Sequence, residues 1–162
     1  MRLRFGPHAG KSTEVLLLRA PDYADWVLSH RPDGALGRDF SDLIAAFDAR
    51  PLEQACACGA PASHVRAYPN SAELLVLCDS CAAQPALRDV TSEITAYAGA
   101  LEHVRETCVR GRRKAQRRII RRLAVAKGLP RRITEGAAEA FLCGVCAESP
   151  PPRQSREAAT AR

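Results

Sequence analysis

Four cysteines near the middle of the chain constrain it more than any other feature: Cys56-x-Cys58-Gly59 and, after nineteen intervening residues, Cys78-x-x-Cys81. A close Cys pair offers two sulfurs from one turn, and two such pairs joined by a short hairpin make a tetrahedral thiolate cage. The intervening sequence reads as that hairpin. Residues 63–68 and 73–77 have strand composition, and Pro69-Asn70-Ser71 supplies the turn between them. With Cys56, Cys58, Cys78 and Cys81 all present, no ligand position stays open, so a Zn2+ held there would be structural. A ribbon this small has no core of its own, and the metal would supply much of its folding free energy. The alternatives are two disulfides or simply buried thiols. Seven cysteines is an odd total, and Met1-Arg2-Leu3-Arg4-Phe5 runs into Gly6 and Pro7 without an apolar leader. Both observations point to a reducing, cytoplasmic setting and to metal ligation. The first pair is tighter than the usual C-x-x-C knuckle.

The formal charge of +6 hides an asymmetry. Residues 1–87 carry 8 basic and 10 acidic side chains, whereas residues 88–162 carry 16 and 8. The positive field therefore belongs to the second half. No apolar run approaches the roughly 20 residues of a membrane span. The expected organisation is α+β: a small αβ module over 1–50, a zinc ribbon over 52–83, and a basic helical region over 85–146. A Pro-rich tail over 147–162 is expected to be disordered.

In the first module, residues 3–5 read as a short strand and 6–10 as a turn, while 14–18 fit either a second strand or a first helical turn. Pro21-Asp22 opens a helix, since Pro suits the first turn and Asp its positive end. Phe40, Leu43, Ile44 and Phe47 mark another helix. Gly10-Lys11-Ser12 imitates a phosphate loop, but Gly6 to Gly10 leaves three residues where that motif needs four. The run Leu3-Arg4-Phe5-Gly6-x-His8-x-Gly10-Lys11-Ser12, then Val15, then Ala20-Pro21-x-Tyr23-x-x-Trp26-Val27-Leu28, resembles the small C-terminal domain of exodeoxyribonuclease X. The resemblance covers residues 2 to about 30. It implies a module assisting nucleic-acid processing, with His8 and Lys11 on an exposed turn able to touch phosphate. It carries over no catalytic residue, because the nuclease keeps its carboxylates in a separate domain. Phe5 and Trp26 are expected to pack strand on helix.

Beyond Pro85, the apolar positions Val90, Ile94, Tyr97, Leu101, Val104 and Cys108 recur at alternating spacings of four and three, and the stripe resumes at Ala115, Ile119, Leu123 and Ala126. At 100° per residue all ten lie within an arc of about 100°. Residues 90–127 could form one rod on the order of 55 Å long, or a helical hairpin broken at Gly111; Gly128 and Pro130 end it. The 90–108 seam would pack within the chain or pair two copies as a homodimer.

The opposite face carries Arg110, Arg113, Lys114, Arg117, Arg118, Arg121 and Arg122, with no acidic residue between Glu106 and Glu135. Like charges so placed repel by a few tenths of a kcal/mol each, and phosphate offsets that through charge-assisted hydrogen bonds and counterion release. An ordinary solvated helix is the plain alternative. Arg131 and Arg132 extend the field towards a last helix near residues 134–141. Cys143-x-x-Cys146 could join Cys108 and His103 in a second metal site, act as a redox pair, or pack. These features point to a non-catalytic, DNA- or RNA-binding accessory protein with structural zinc. The rival classes are a nuclease-related or redox enzyme and a dimerising adaptor. Carboxylates converging on His8 or His64 would favour the enzyme.

Overall fold

Ser12 sets the first helix. A computed structural model describes residues 1–144 except 5, 95 and 109; Phe5, Cys146 and the Pro-rich tail lie outside the described residues. The opening segment folds back so that Leu3 N–H donates to the Lys11 carbonyl at 3.1 Å, and Arg2 and Ser12 form an isolated bridge. Leu3 and Arg4, from the strand expected at 3–5, belong to no strand beyond that contact. Ser12 Oγ then accepts from Val15 N–H and caps α1 (Thr13–Arg19), as a short hydroxyl does at an N-cap. Residues 14–18 are thus helical and buried. Helix α2 (Pro21–His30) begins on Pro21, and α3 (Ala35–Ala49) buries Phe40, Leu43 and Phe47.

The predicted hairpin follows. Strands β1 (His64–Ala67) and β2 (Leu74–Leu77) pair antiparallel, with His64 opposite Leu77 and Ala67 opposite Leu74. Two single-turn helices, α4 (Asp79–Ala82) and α5 (Pro85–Arg88), lead to β3 (Ser92–Glu93), which adds to the other edge of β1 in the order β2-β1-β3. This strand corrects the expectation of continuous helix after Pro85. Ile94 N–H donates to the Val65 carbonyl at 2.8 Å, so the chain joins the sheet before turning helical. Val90, read as part of the apolar stripe, is 48% exposed in the preceding loop.

Helices α6 (Tyr97–Thr107) and α7 (Arg112–Ala126) form a hairpin rather than a rod. Gly111 takes φ 68°, a left-handed conformation that glycine adopts without a Cβ penalty. At the far end, Gly128 has φ 96°, and a Cβ there would lie 2.2 Å from the Glu53 carboxylate. That close approach lets Glu53 and Gln54 N–H both reach the Ala126 carbonyl, at 2.9 and 3.1 Å. The segment leading to Cys56 is thereby tied to the end of α7. Thr134 caps α8 (Glu135–Cys143).

One apolar core joins Leu16–Leu18 of α1 and Phe40 and Phe47 of α3 to Leu101, Val104, Ile119, Leu123, Phe141 and Leu142 of the later helices. Tyr97 is buried among them, its hydroxyl donating to the Leu17 carbonyl at 2.8 Å and its N–H to Asp48 Oδ1 at 2.7 Å. Lys127 closes this layer over the Phe47 ring, donating to the Asp48 and Arg50 carbonyls at 3.1 and 2.6 Å. Burial lowers its pKa and raises that of Asp48. Ile94, Tyr97, Leu101, Val104 and Cys108 are all buried here, so the seam considered as a dimer contact is used for packing within the chain. Among the described residues, no helix is long and apolar enough to cross a membrane.

Candidate metal centre and cationic surface

Cys56 and Cys58 come from a tight turn in which Gly59 N–H donates to the Cys56 carbonyl at 2.8 Å and Cys56 N–H to the Ala60 carbonyl at 2.9 Å. Cys78 follows β2 directly and serves as N-cap of α4, placing Cys81 within the next turn. The β1–β2 register thus delivers the second pair beside the first. All four Sγ atoms lie within 4.8 Å of one another, with Cys58 and Cys78 at 3.6 Å. A disulfide would require about 2.05 Å, and the thiols are free. Tetrahedral zinc with bonds of ~2.3 Å sets sulfurs about 3.8 Å apart, so closure needs shifts of about an ångström or less. Hydrogen bonds from the Cys58 and Cys78 backbone lower the Cys56 thiol to about 6, whereas the surrounding sulfurs push Cys81 up to about 12. A cation is what allows the last protons to leave. The apolar support is slight: Leu77 and Ala82 are buried with Cys56 and Cys78.

His64 lies beside this turn and brings two carboxylates together. Nε2 approaches Asp79 Oδ1 at 3.0 Å and Nδ1 approaches Glu93 Oε1 at 2.8 Å. Both nitrogens donate only in the imidazolium form, and Glu93 first, then Asp79, raises the His64 pKa. Asp79 is lowered chiefly by Ser63, whose hydroxyl donates to it at 2.5 Å, and then by His64. This is the convergence on His64 set out above as favouring an enzyme; with both ring nitrogens engaged, the group ties β1, β3 and α4 together. Its full contribution to stability spans the interval between the ordinary values of 3.8 for Asp79 and 6.5 for His64. Acidification below that interval protonates Asp79, and pH rising through the elevated His64 value removes the imidazolium. An NMR titration should place the His64 midpoint above 6.5; an ordinary midpoint would contradict the clip.

The basic face of α7 is less bare than its sequence suggests. Arg113 and Arg117 reach Asp22 at 3.7 and 3.4 Å, while Arg118 and Arg122 both contact Glu73. Helix spacing registers only partners three or four residues away, and these acids come from α2 and the β1–β2 turn. Only four of the seven cations share these two carboxylates, and exposed pairs of this kind contribute little, about 0–1 kcal/mol. Arg113 remains 84% exposed. Arg110 and Lys114 have no ion pair among the described residues, and Arg121 donates to the Arg131 carbonyl at 2.6 Å.

Two of the recesses bordering this face also take in Arg19 of α1. One, of about 390 Å³, is lined by Arg19, Arg117, Arg121, Arg132, Leu18 and Ile133, with no carboxylate. The other, of about 330 Å³, includes His8, Lys11, Arg19 and Arg117 as well as Glu135. The N-terminal turn and the helix, read from sequence as separate surfaces, therefore share a cavity. Arg19 belongs to no motif in the sequence; only the packing of α1 on α7 places it here. His103 Nε2 donates to the Ser71 carbonyl at 3.2 Å, and Cys108 packs in the core. Among the described residues, the four central cysteines are the one cluster able to hold a metal. Compared with known proteins, the chain matches no family model, curated protein or solved structure.

Proposed function

We propose that this is a non-catalytic nucleic-acid-binding accessory protein, with a zinc ribbon as its structural element and the face of α7 as its phosphate contact. The observation that carries the reading is the recess in which Arg19, Arg117, Arg121 and Arg132 converge without a lining carboxylate. Arg117 already meets Asp22, and Arg19 and Arg121 donate to the Ile133 and Arg131 carbonyls, but a phosphate would offset the repulsion that remains, and forked donors match phosphate oxygens. The resemblance of residues 2–30 to the exodeoxyribonuclease X C-terminal domain agrees with this use. It adds His8 and Lys11 as contacts beside Arg117. The four-cysteine cage leaves no ligand position for substrate, which suits a structural zinc.

A gel-shift titration with two unrelated duplexes tests the proposal. Arg121→Gln combined with Arg132→Gln should weaken both complexes about tenfold or more, since hydrogen bonds to charged groups contribute roughly 1.5–3 kcal/mol each. The two losses should match, because phosphate contacts position a protein without specifying sequence. Unchanged affinity in that variant would remove the basic face from the interface.

A further inference from the structure

Helix α2 carries three aromatic rings along one edge. Tyr23, Trp26 and His30 stand three and four residues apart and so share a face. Trp26, expected to pack, is instead 49% exposed. Its ring lies 5.0 Å from that of His30 at 21° and 6.3 Å from that of Tyr23 at 18°. A single exposed tryptophan is ordinary on a surface, but three near-parallel rings in a row, with Trp26 and His30 exposed and Tyr23 half-buried at its inner end, are a different arrangement. We infer that this ridge is a stacking platform for the bases of single-stranded nucleic acid.

Its surroundings favour that occupant. A groove of about 400 Å³ runs from Trp26 and Tyr23 to Arg105, Arg112 and Arg113, at the turn between α6 and α7. His8, Asp22 and Asp25 also line it; Asp25 pairs with Arg105 at 2.6 Å and Asp22 with Arg113 and Arg117, which leaves Arg112 as the lining arginine with no ion pair among the described residues. Rings beside a cationic groove provide the two contacts a single strand needs, one for the base and one for the backbone. A duplex keeps its base faces stacked on one another and cannot use the rings. The inference rests on the phosphate-binding reading and adds to it a base contact that only unpaired strands can make.

Trp26 is the chain's one tryptophan, so its emission reports on the platform alone. The zinc-loaded full chain is titrated with an oligothymidylate of about 12 residues, within the usual range of site sizes. The same oligonucleotide and its duplex are then followed by anisotropy. Emission should be quenched to saturation at the same midpoint. Trp26→Ala should weaken single-strand binding about tenfold, as the loss of one stacked base does, and Trp26→Phe should restore most of it. Duplex binding should change less than about twofold, being carried by phosphate contacts. Wild-type single-strand affinity in Trp26→Ala would overturn the platform while leaving the duplex reading intact. If neither strand form binds, the platform and the phosphate reading fail together.

Discussion

Replacing Cys78 by Ser should release one equivalent of zinc and unfold the cage end of the β1–β2 hairpin while the helical core persists. At the cage end the apolar support is Leu77 and Ala82 packed with Cys56 and Cys78, whereas Val65, Ala67 and Leu74 pack into the main core, and short hairpins are marginal in water without further packing. Zinc contributes an apparent 10–16 kcal/mol or so in peptides of this kind. The helices do not depend on it, because their core draws on residues from Val15 to Leu142 that lie away from the cage. Hydrogen exchange should therefore show lost protection at 74–77, with helical circular dichroism largely retained. A chelator should reproduce the effect. Stoichiometric zinc in a variant lacking all four cysteines would contradict the site.

Phe47→Ala should cost about 3–5 kcal/mol, as aromatic truncations in packed cores do. Phe47 is fully buried, meets Tyr97 at 5.4 Å and Phe141 at 5.9 Å edge-on, and lies beneath the Lys127 ammonium. Its removal opens a cavity between helices from the two ends of the chain. Since those helices share one core, urea unfolding should shift as a single transition. A loss below about 1 kcal/mol, the size of a surface change, would mean that the two halves are stable separately.

What could be read from the sequence was local. The cysteine spacing, the turn at 69–71, Pro21 at a helix start and Gly128 at a helix end each act through the nearest few residues, and each stands where expected. The failures share the opposite cause. Val90 kept the stripe's period but lies ahead of a strand that pairs with β1, a choice made by tertiary contact. Trp26 obeyed the helix pattern while facing outward, because a single apolar side chain does not say which face is covered. The carboxylates opposite Arg117 and Arg118 are 95 and 45 residues distant in sequence. No helix periodicity could have revealed Asp22 or Glu73 as their partners, nor Arg19 as a member of the arginine recess.

Those long-range carboxylates set the decisive question, whether the arginines of α7 remain available to an external anion. The direct measurement is the salt dependence of duplex binding by the zinc-loaded chain. Engagement of about five phosphates gives a slope of log K against log salt near −4 to −5. Arg121→Gln with Arg132→Gln should reduce the magnitude of that slope by about two, equally for unrelated sequences. A slope near zero, or no binding at about 50 mM salt, where phosphate contacts are strong, would mean that Asp22 and Glu73 already satisfy the basic face and that it is simply solvated.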